Sequence, residues 1–284
     1  MSSSDSMRRA EQQSPEALTL PDDLLARLIA DVDGDGVVGV ALGGSFARDA
    51  AMVYSDLDLG PFYADGQTLP PKRFFYRDGL LVSVSPKTCA GWRGQMAEPE
   101  TAIYAVPSAR RLRILLDRDG RLAALIEEAQ AFLWKTLQAA ADVFASRTLM
   151  LEVEHAHKVL GALAVHDEPA LCRALQELLH SLPWAVATQR GIMVVSANTY
   201  YRQIEESVGE ASVWTRRLRE ALGAVPVEEG EAAGLTAIEA RGVATLRLYV
   251  ETVALLQNAI QPEERAVVEQ AMQIIGRAHY GIRH

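Results

Sequence analysis

The hydrophobic period of this chain changes once, near Gly120, and that change limits the folds open to it. Upstream, short apolar runs of strand length alternate with stretches of helical spacing. Downstream, from Arg121 onward, Ala, Leu, Glu and Arg dominate and apolar residues recur at helical spacing. The pattern predicts an α+β protein, with a small mixed-sheet domain over residues 18–120 and an all-α helical bundle over residues 121–284. Breaks in the helical half are expected near residues 167–169 and 181–183, at Gly209, over 225–234 and at Pro262. The polar, Ser-rich residues 1–17 read as a disordered tail.

Within the first half, residues 36–42 are mostly small or β-branched and read as a buried strand. Gly43 and Gly44 mark a turn, and residues 46–52 read as one short helix. Glycine permits positive φ and close backbone approach, and a helix start offers unpaired N–H donors and the positive end of its dipole. Ser45 adds a hydroxyl at that point. In the strand that follows, side chains alternate, so Asp56 and Asp58 are expected to point one way while Leu57 and Leu59 enter the core. Paired hard oxygen donors of this kind suit Mg²⁺, which keeps several waters and shares its shell with phosphates. Other expected elements are a helix over 18–30 started by Pro21-Asp22-Asp23, a strand over 80–85 after the Arg77-Asp78-Gly79 turn, and a strand over 111–116.

The order Gly-Ser, a helix-length gap, then Asp-hydrophobic-Asp resembles the signature of the polymerase-β-type nucleotidyltransferase superfamily. It is most similar to the signature of small-molecule members such as the kanamycin-type aminoglycoside nucleotidyltransferases. The matching stretch covers residues 42–59. The resemblance implies a Mg²⁺-dependent transfer of a nucleoside monophosphate from a nucleoside triphosphate to a hydroxyl of a small, aminoglycoside-like acceptor. Gly44, Ser45 and Arg48 would meet the phosphates, and Asp56 and Asp58 would hold the metal. In such enzymes a third metal carboxylate stands on the strand after the next hairpin; here the matching position is Ser83, a departure from the pattern. The resemblance further implies that Glu154, on the first long helix of the bundle, is the general base and that Lys158 meets the nucleotide phosphates. Four residues apart, these two share a helix face, a spacing that exposed helices also use for ordinary ion pairs. Glu152 is a rival base on another face. By analogy with such enzymes a homodimer is an option.

Other residues read more plainly. His155 and His157, two apart on a helix, do not share a face and so do not make a two-histidine metal site. Trp184, Trp214, Tyr200 and Tyr201 read mainly as core or interface anchors. The acidic run at residues 228–231 reads as a solvated loop, or as an attractor for an amine-bearing acceptor.

Composition narrows the partners. The formal net charge of −9 argues against nucleic acid, which needs a basic surface to release its counterions, and favours a cationic small molecule. Cys89 and Cys172 are the only cysteines, and no secretory core is legible, which predicts a reducing, cytoplasmic compartment. No apolar run reaches membrane-spanning length, so no membrane role is expected. Two rival readings accompany the transferase. One is a nucleotide-binding or regulatory module that has lost efficient catalysis through the serine at position 83; the other is modification of a protein side chain, because fold does not fix function.

Overall fold

A computed structural model of the chain describes residues 20–228 and 233–278. The expected tail and most of the acidic run at 229–231 lie outside them. The chain divides into two compact units: residues up to Met96 with Ala105–Phe132, and Ala97–Tyr104 with residues from Leu133 onward. The boundary expected at Gly120 is therefore not where the contacts divide.

The first unit contains helix α1 (Asp22–Val32), strand β1 (Val37–Leu42) and strand β2 (Leu57–Tyr63). After these come β3 (Arg73–Arg77), β4 (Leu80–Val84), β5 (Lys87–Thr88), α2 (Cys89–Ala97), α3 (Pro99–Ala109), β6 (Arg113–Asp117) and α4 (Arg121–Ala131). Residues of α3 fall in both units. The sheet runs β3-β4-β2-β1-β6, with β5 also on β2. Pairing is antiparallel except where β2 meets β4 and β5, which is parallel.

The alternation read in the sequence organises this sheet. Leu57 and Leu59 are fully buried and lie in register with Val82 and Val84. These four join Leu28 of α1, Val40 and Leu42 in one core. Each such side chain contributes roughly 1.5–3 kcal/mol by leaving water. Asp58 and Ser83 are register partners on the opposite face. Pro61 occupies a central strand, where its missing N–H would ordinarily break a ladder bond. It is accommodated because β4 ends at Val84 and β5 starts at Lys87, which leaves an interruption opposite residues 60 and 61.

One expectation fails in this unit. The helix expected over 46–52 is only a 3-10 turn, Phe46–Arg48, because Asp49 takes left-handed backbone at φ 52. A turn this short carries no useful helix dipole. The helix expected over 18–30 runs Asp22–Val32, with Pro21 at its start.

The second unit is helical: α5 (Gln138–Leu151), α6 (Val153–Val165), α7 (Glu168–Gln189), α8 (Tyr200–Val208), α9 (Val213–Leu222), α10 (Ala237–Leu255) and α11 (Pro262–Arg277). The breaks near 167–169 and at Gly209 are where the helices end, and a capping box between Thr236 and Glu239 starts α10. The break expected over 181–183 is absent, since α7 runs through Pro183. Leu182, Ala185, Val186 and Ala187 around it are fully buried, and that packing outweighs the lost helix bond. Trp214 is core, its Nε1 donating to Thr252 Oγ1 at 2.9 Å, and the Tyr249 hydroxyl donates to the Leu149 carbonyl at 3.0 Å.

A Cβ at Gly39 would lie 2.8 Å from Leu122 Cδ1 of α4 and 2.9 Å from the Leu116 carbonyl oxygen. Gly39→Ala is therefore expected to destabilise the chain by about 1–3 kcal/mol. An unchanged denaturation midpoint would show that α4 does not press on the sheet here.

Candidate functional site

The site is assembled from one row of residues across the sheet. Phe74 on β3 opposes Ser83 on β4, and Ser83 opposes Asp58 on β2. On the other side of β2, the Gly43 N–H donates to the Asp58 carbonyl at 2.8 Å. Register partners on neighbouring strands share a face, so the row brings the turn after β1 against the Asp58 side chain.

Gly44 is indispensable to that approach. Its φ is +64, and a Cβ there would lie 2.1 Å from Asp58 Oδ2. Both the backbone conformation and the space thus demand glycine. Ser45 follows in helical backbone, with its carbonyl accepting from the Arg48 and Ala50 N–H groups. The turn geometry expected from the sequence is present, while the helix behind it is not.

Asp56 immediately precedes β2 rather than lying within it, and both acids are half-buried. Burial pushes the Asp58 carboxyl up, and the neighbouring Asp56 charge pushes it further; Lys72, Lys87 and Arg48 act in the opposite sense. Burial lowers Arg48, Arg111 repels it, and Asp58 partly restores it. Burial lowers the Lys87 ammonium as well, against the attraction of Asp58. Asp58, beside Asp56, thus has Arg48, Lys72 and Lys87 within electrostatic reach, with Arg111 beside Arg48. None of these six side chains forms an ion pair within 4 Å among the described residues.

Lys87, Lys72 and Arg111 were not singled out from the sequence. For Lys87 a signal existed: Ser83, Ser85 and Lys87 continue the alternation with Val82 and Val84 on one strand face. Lys87 stands opposite Phe62 of β2, and its Nζ lies 4.0 Å above the Trp92 ring, which stacks on Phe62 at 5.6 Å between centroids. Lys72 lies over Phe74, the next member of the row, at 4.8 Å.

Ser83, at the position implied for a third carboxylate, is 1% exposed and its Oγ has no hydrogen-bond partner. Among the described residues no group of three or more His, Cys, Asp or Glu side chains is arranged to hold a metal. The Asp56–Asp58 pair remains a hard-oxygen donor set, fitted to one ion that retains most of its waters.

Glu154 and Lys158 belong to the second unit, on α6. They are exposed and pair with each other at 2.7 Å. The Lys158 hydrogen bond holds the Glu154 carboxyl below the usual range, which makes it a weaker base. Glu152 is buried at the junction of α5 and α6, bonded to His155 Nδ1 at 3.0 Å, while His157 is exposed. Trp184 donates to the Glu100 carbonyl at 3.3 Å, and Tyr200 packs against Tyr104 and Tyr201. Glu228 pairs with Arg216. A groove of about 500 Å³ between α6 and α7 is lined by His155, Lys158, Arg173 and Glu177 over a floor of Gly161 and Ala174. No helix of the described residues is long and apolar enough to cross a membrane.

No protein-family model and no curated protein matches this chain. Among solved structures, it is similar to a nucleotidyltransferase-like protein from Exiguobacterium sibiricum 255-15. That similarity covers 90% of this chain and 89% of the other at 11% identity, with a TM-score of 0.47. At that distance the residues of this chain, and not the neighbour, have to carry any statement of chemistry.

Because Asp58 is raised, the folded chain keeps that proton to higher pH than the unfolded chain. Its share of stability is whole below the ordinary carboxylate range and is lost as pH rises from there through the raised value. Asp58→Asn removes this loss, so the variant should melt above the parent at about pH 7 and alongside it at about pH 3. Melting curves in which the variant is less stable at both pH values would contradict the burial and crowding described for Asp58.

Proposed function

We propose that this chain is a Mg²⁺-dependent nucleotidyltransferase that transfers a nucleoside monophosphate from a nucleoside triphosphate to a hydroxyl of a small acceptor, releasing pyrophosphate. The observation that carries this reading is the acid pair at a glycine-only turn, with Arg48, Lys72 and Lys87 within electrostatic reach of Asp58 and none of them in an ion pair among the described residues. A chain of net charge −9 has concentrated positive charge around two carboxylates, an arrangement suited to a polyphosphate that arrives with a divalent ion.

Asp56 and Asp58 would hold the Mg²⁺, whose charge, when bound, polarises a phosphoryl oxygen. Gly44 lets the Asp58 carboxylate lie against the turn, its Oδ2 2.1 Å from where a Cβ would stand. Arg48, Lys72, Lys87 and Arg111 offset the triphosphate charge and that of the departing pyrophosphate. In the transfer the acceptor oxygen bonds to the α-phosphorus while the bond from that phosphorus to the bridging oxygen of the β-phosphate breaks. Pyrophosphate leaves with the electron pair and the acceptor's hydroxyl proton passes to solvent water. Most of the work is positioning and charge stabilisation. We place no step on Glu154, because its pairing with Lys158 weakens it as a proton acceptor. The acidic net charge of the chain favours an acceptor bearing amines, as an aminoglycoside-like molecule does.

A second reading, a nucleotide-binding module without efficient catalysis, is favoured by one observation, the neutral, buried Ser83 facing Asp58 across the strand pair. Titration calorimetry with each nucleoside triphosphate and Mg²⁺, beside pyrophosphate release against a panel of hydroxyl-bearing amines, separates the two. The transferase reading expects release, reduced at least about 10-fold in Asp56→Asn and Asp58→Asn. Binding without release against any acceptor selects the module, and absence of binding removes both. Glu154→Gln should leave release within about 2-fold of the parent, as for an exposed helix pair; a large loss would restore Glu154 as the base.

A further inference from the structure

We propose that the site takes a single divalent cation and that the Lys87 ammonium supplies, at a fixed position, the charge a second ion would otherwise bring. This rests on the transferase reading above and goes beyond it in assigning the ion count and a role to a lysine on β5.

Three observations converge. Two-ion phosphoryl-transfer sites hold their ions about 3.5–4 Å apart, which calls for carboxylates enough to ligate both. Here the residue directly across from Asp58 is Ser83, a neutral hydroxyl with no partner, and no larger group of acids is gathered among the described residues. The donor set therefore stops at what one ion needs.

The second observation is the placement of Lys87. It pairs in register with Phe62, four residues beyond Asp58 on β2. By strand alternation Asp58, Gly60 and Phe62 share a face. Gly60 presents no side chain there, and the edge of the Phe62 ring covers it, its Cε2 3.5 Å from where a Cβ would stand; Lys87 lies within electrostatic reach of Asp58. Trp92 braces the ammonium at 4.0 Å from its ring centroid, with Phe62 stacked against that ring and the Trp92 Nε1 donating to the Ala105 carbonyl at 3.0 Å. A cation over an indole keeps its charge available while its position is restricted. Unlike a second ion, it needs no further carboxylate.

The third observation is the charge balance. Asp56 and Asp58 contribute two negative charges, and Arg48, Lys72 and Lys87 contribute three positive ones, a formal surplus of one before any metal binds. One divalent ion with its triphosphate enters this field favourably. A second would have to enter beside the like charges of Arg48, Lys72 and Lys87.

The test uses the full chain, Mn²⁺ as a paramagnetic probe counted by electron paramagnetic resonance, and a nucleoside triphosphate analogue that cannot be cleaved between the α- and β-phosphates. The parent is expected to bind one Mn²⁺ per chain with the analogue. Lys87→Ala should weaken the analogue about 10-fold or more, and Lys87→Arg should recover most of that loss. Ser83→Asp combined with Lys87→Ala should take up a second Mn²⁺. If the new carboxylate prevents folding, the two single Lys87 variants decide alone. Two Mn²⁺ per parent chain, or Lys87→Ala within about 2-fold of the parent, overturns the inference and leaves the transferase reading standing. Failure of the parent to bind either Mn²⁺ or the analogue overturns both.

Discussion

A side-chain carbon at position 44 would overlap Asp58 Oδ2, at 2.1 Å, so the turn after β1 and the acid on β2 share space that only glycine leaves open. That closeness follows from the sheet order. β2 lies between β1 and β4, and the Gly43 N–H reaches the Asp58 carbonyl just where the ladder between β1 and β2 ends. The same strand order places Ser83 beside Asp58 on its other flank. The turn, the acid and the serine are thus consequences of one pairing arrangement. The core beneath them, built from Leu57, Leu59, Val82 and Val84, holds the register that aligns them.

Charge is organised on two scales. Over its whole length the chain is acidic, which serves solubility and disfavours polyanions in general. At the row across the sheet the balance reverses, with more cationic than anionic side chains around a half-buried acid. A net charge averages such a local reversal away. The Arg48, Lys72, Lys87 and Arg111 cluster therefore bears more directly on ligand chemistry than the total of −9 does.

The parts of this arrangement written into neighbouring residues were legible in the sequence. The glycine turn, the Leu57–Leu59 alternation, the strand over 80–85 and the helical second half all follow local periods. What the sequence obscured was set by contacts between distant residues. The left-handed Asp49 cuts short a segment whose composition suits a helix. Buried neighbours carried α7 through Pro183 against its local preference. The approach of Lys72 and Lys87 to Asp58 depends on the parallel pairing of β2 with β4 and β5, which no local pattern specifies. Glu154 and Lys158 illustrate the converse: their spacing was legible, and what it produced was a solvent-facing ion pair.

Pro61 carries a consequence for the fidelity of assembly. A slide of β2 by one residue that set Pro61 opposite Lys87 would take the proline out of the interruption between β4 and β5 and place its ring against a paired strand. The same slide would swap the two faces of the strand and bury the acids among leucines. An imino acid with no chemistry of its own thus acts as an alignment key, penalising a misthreaded sheet that could be just as well hydrogen-bonded elsewhere yet would present a greasy surface to any incoming phosphate.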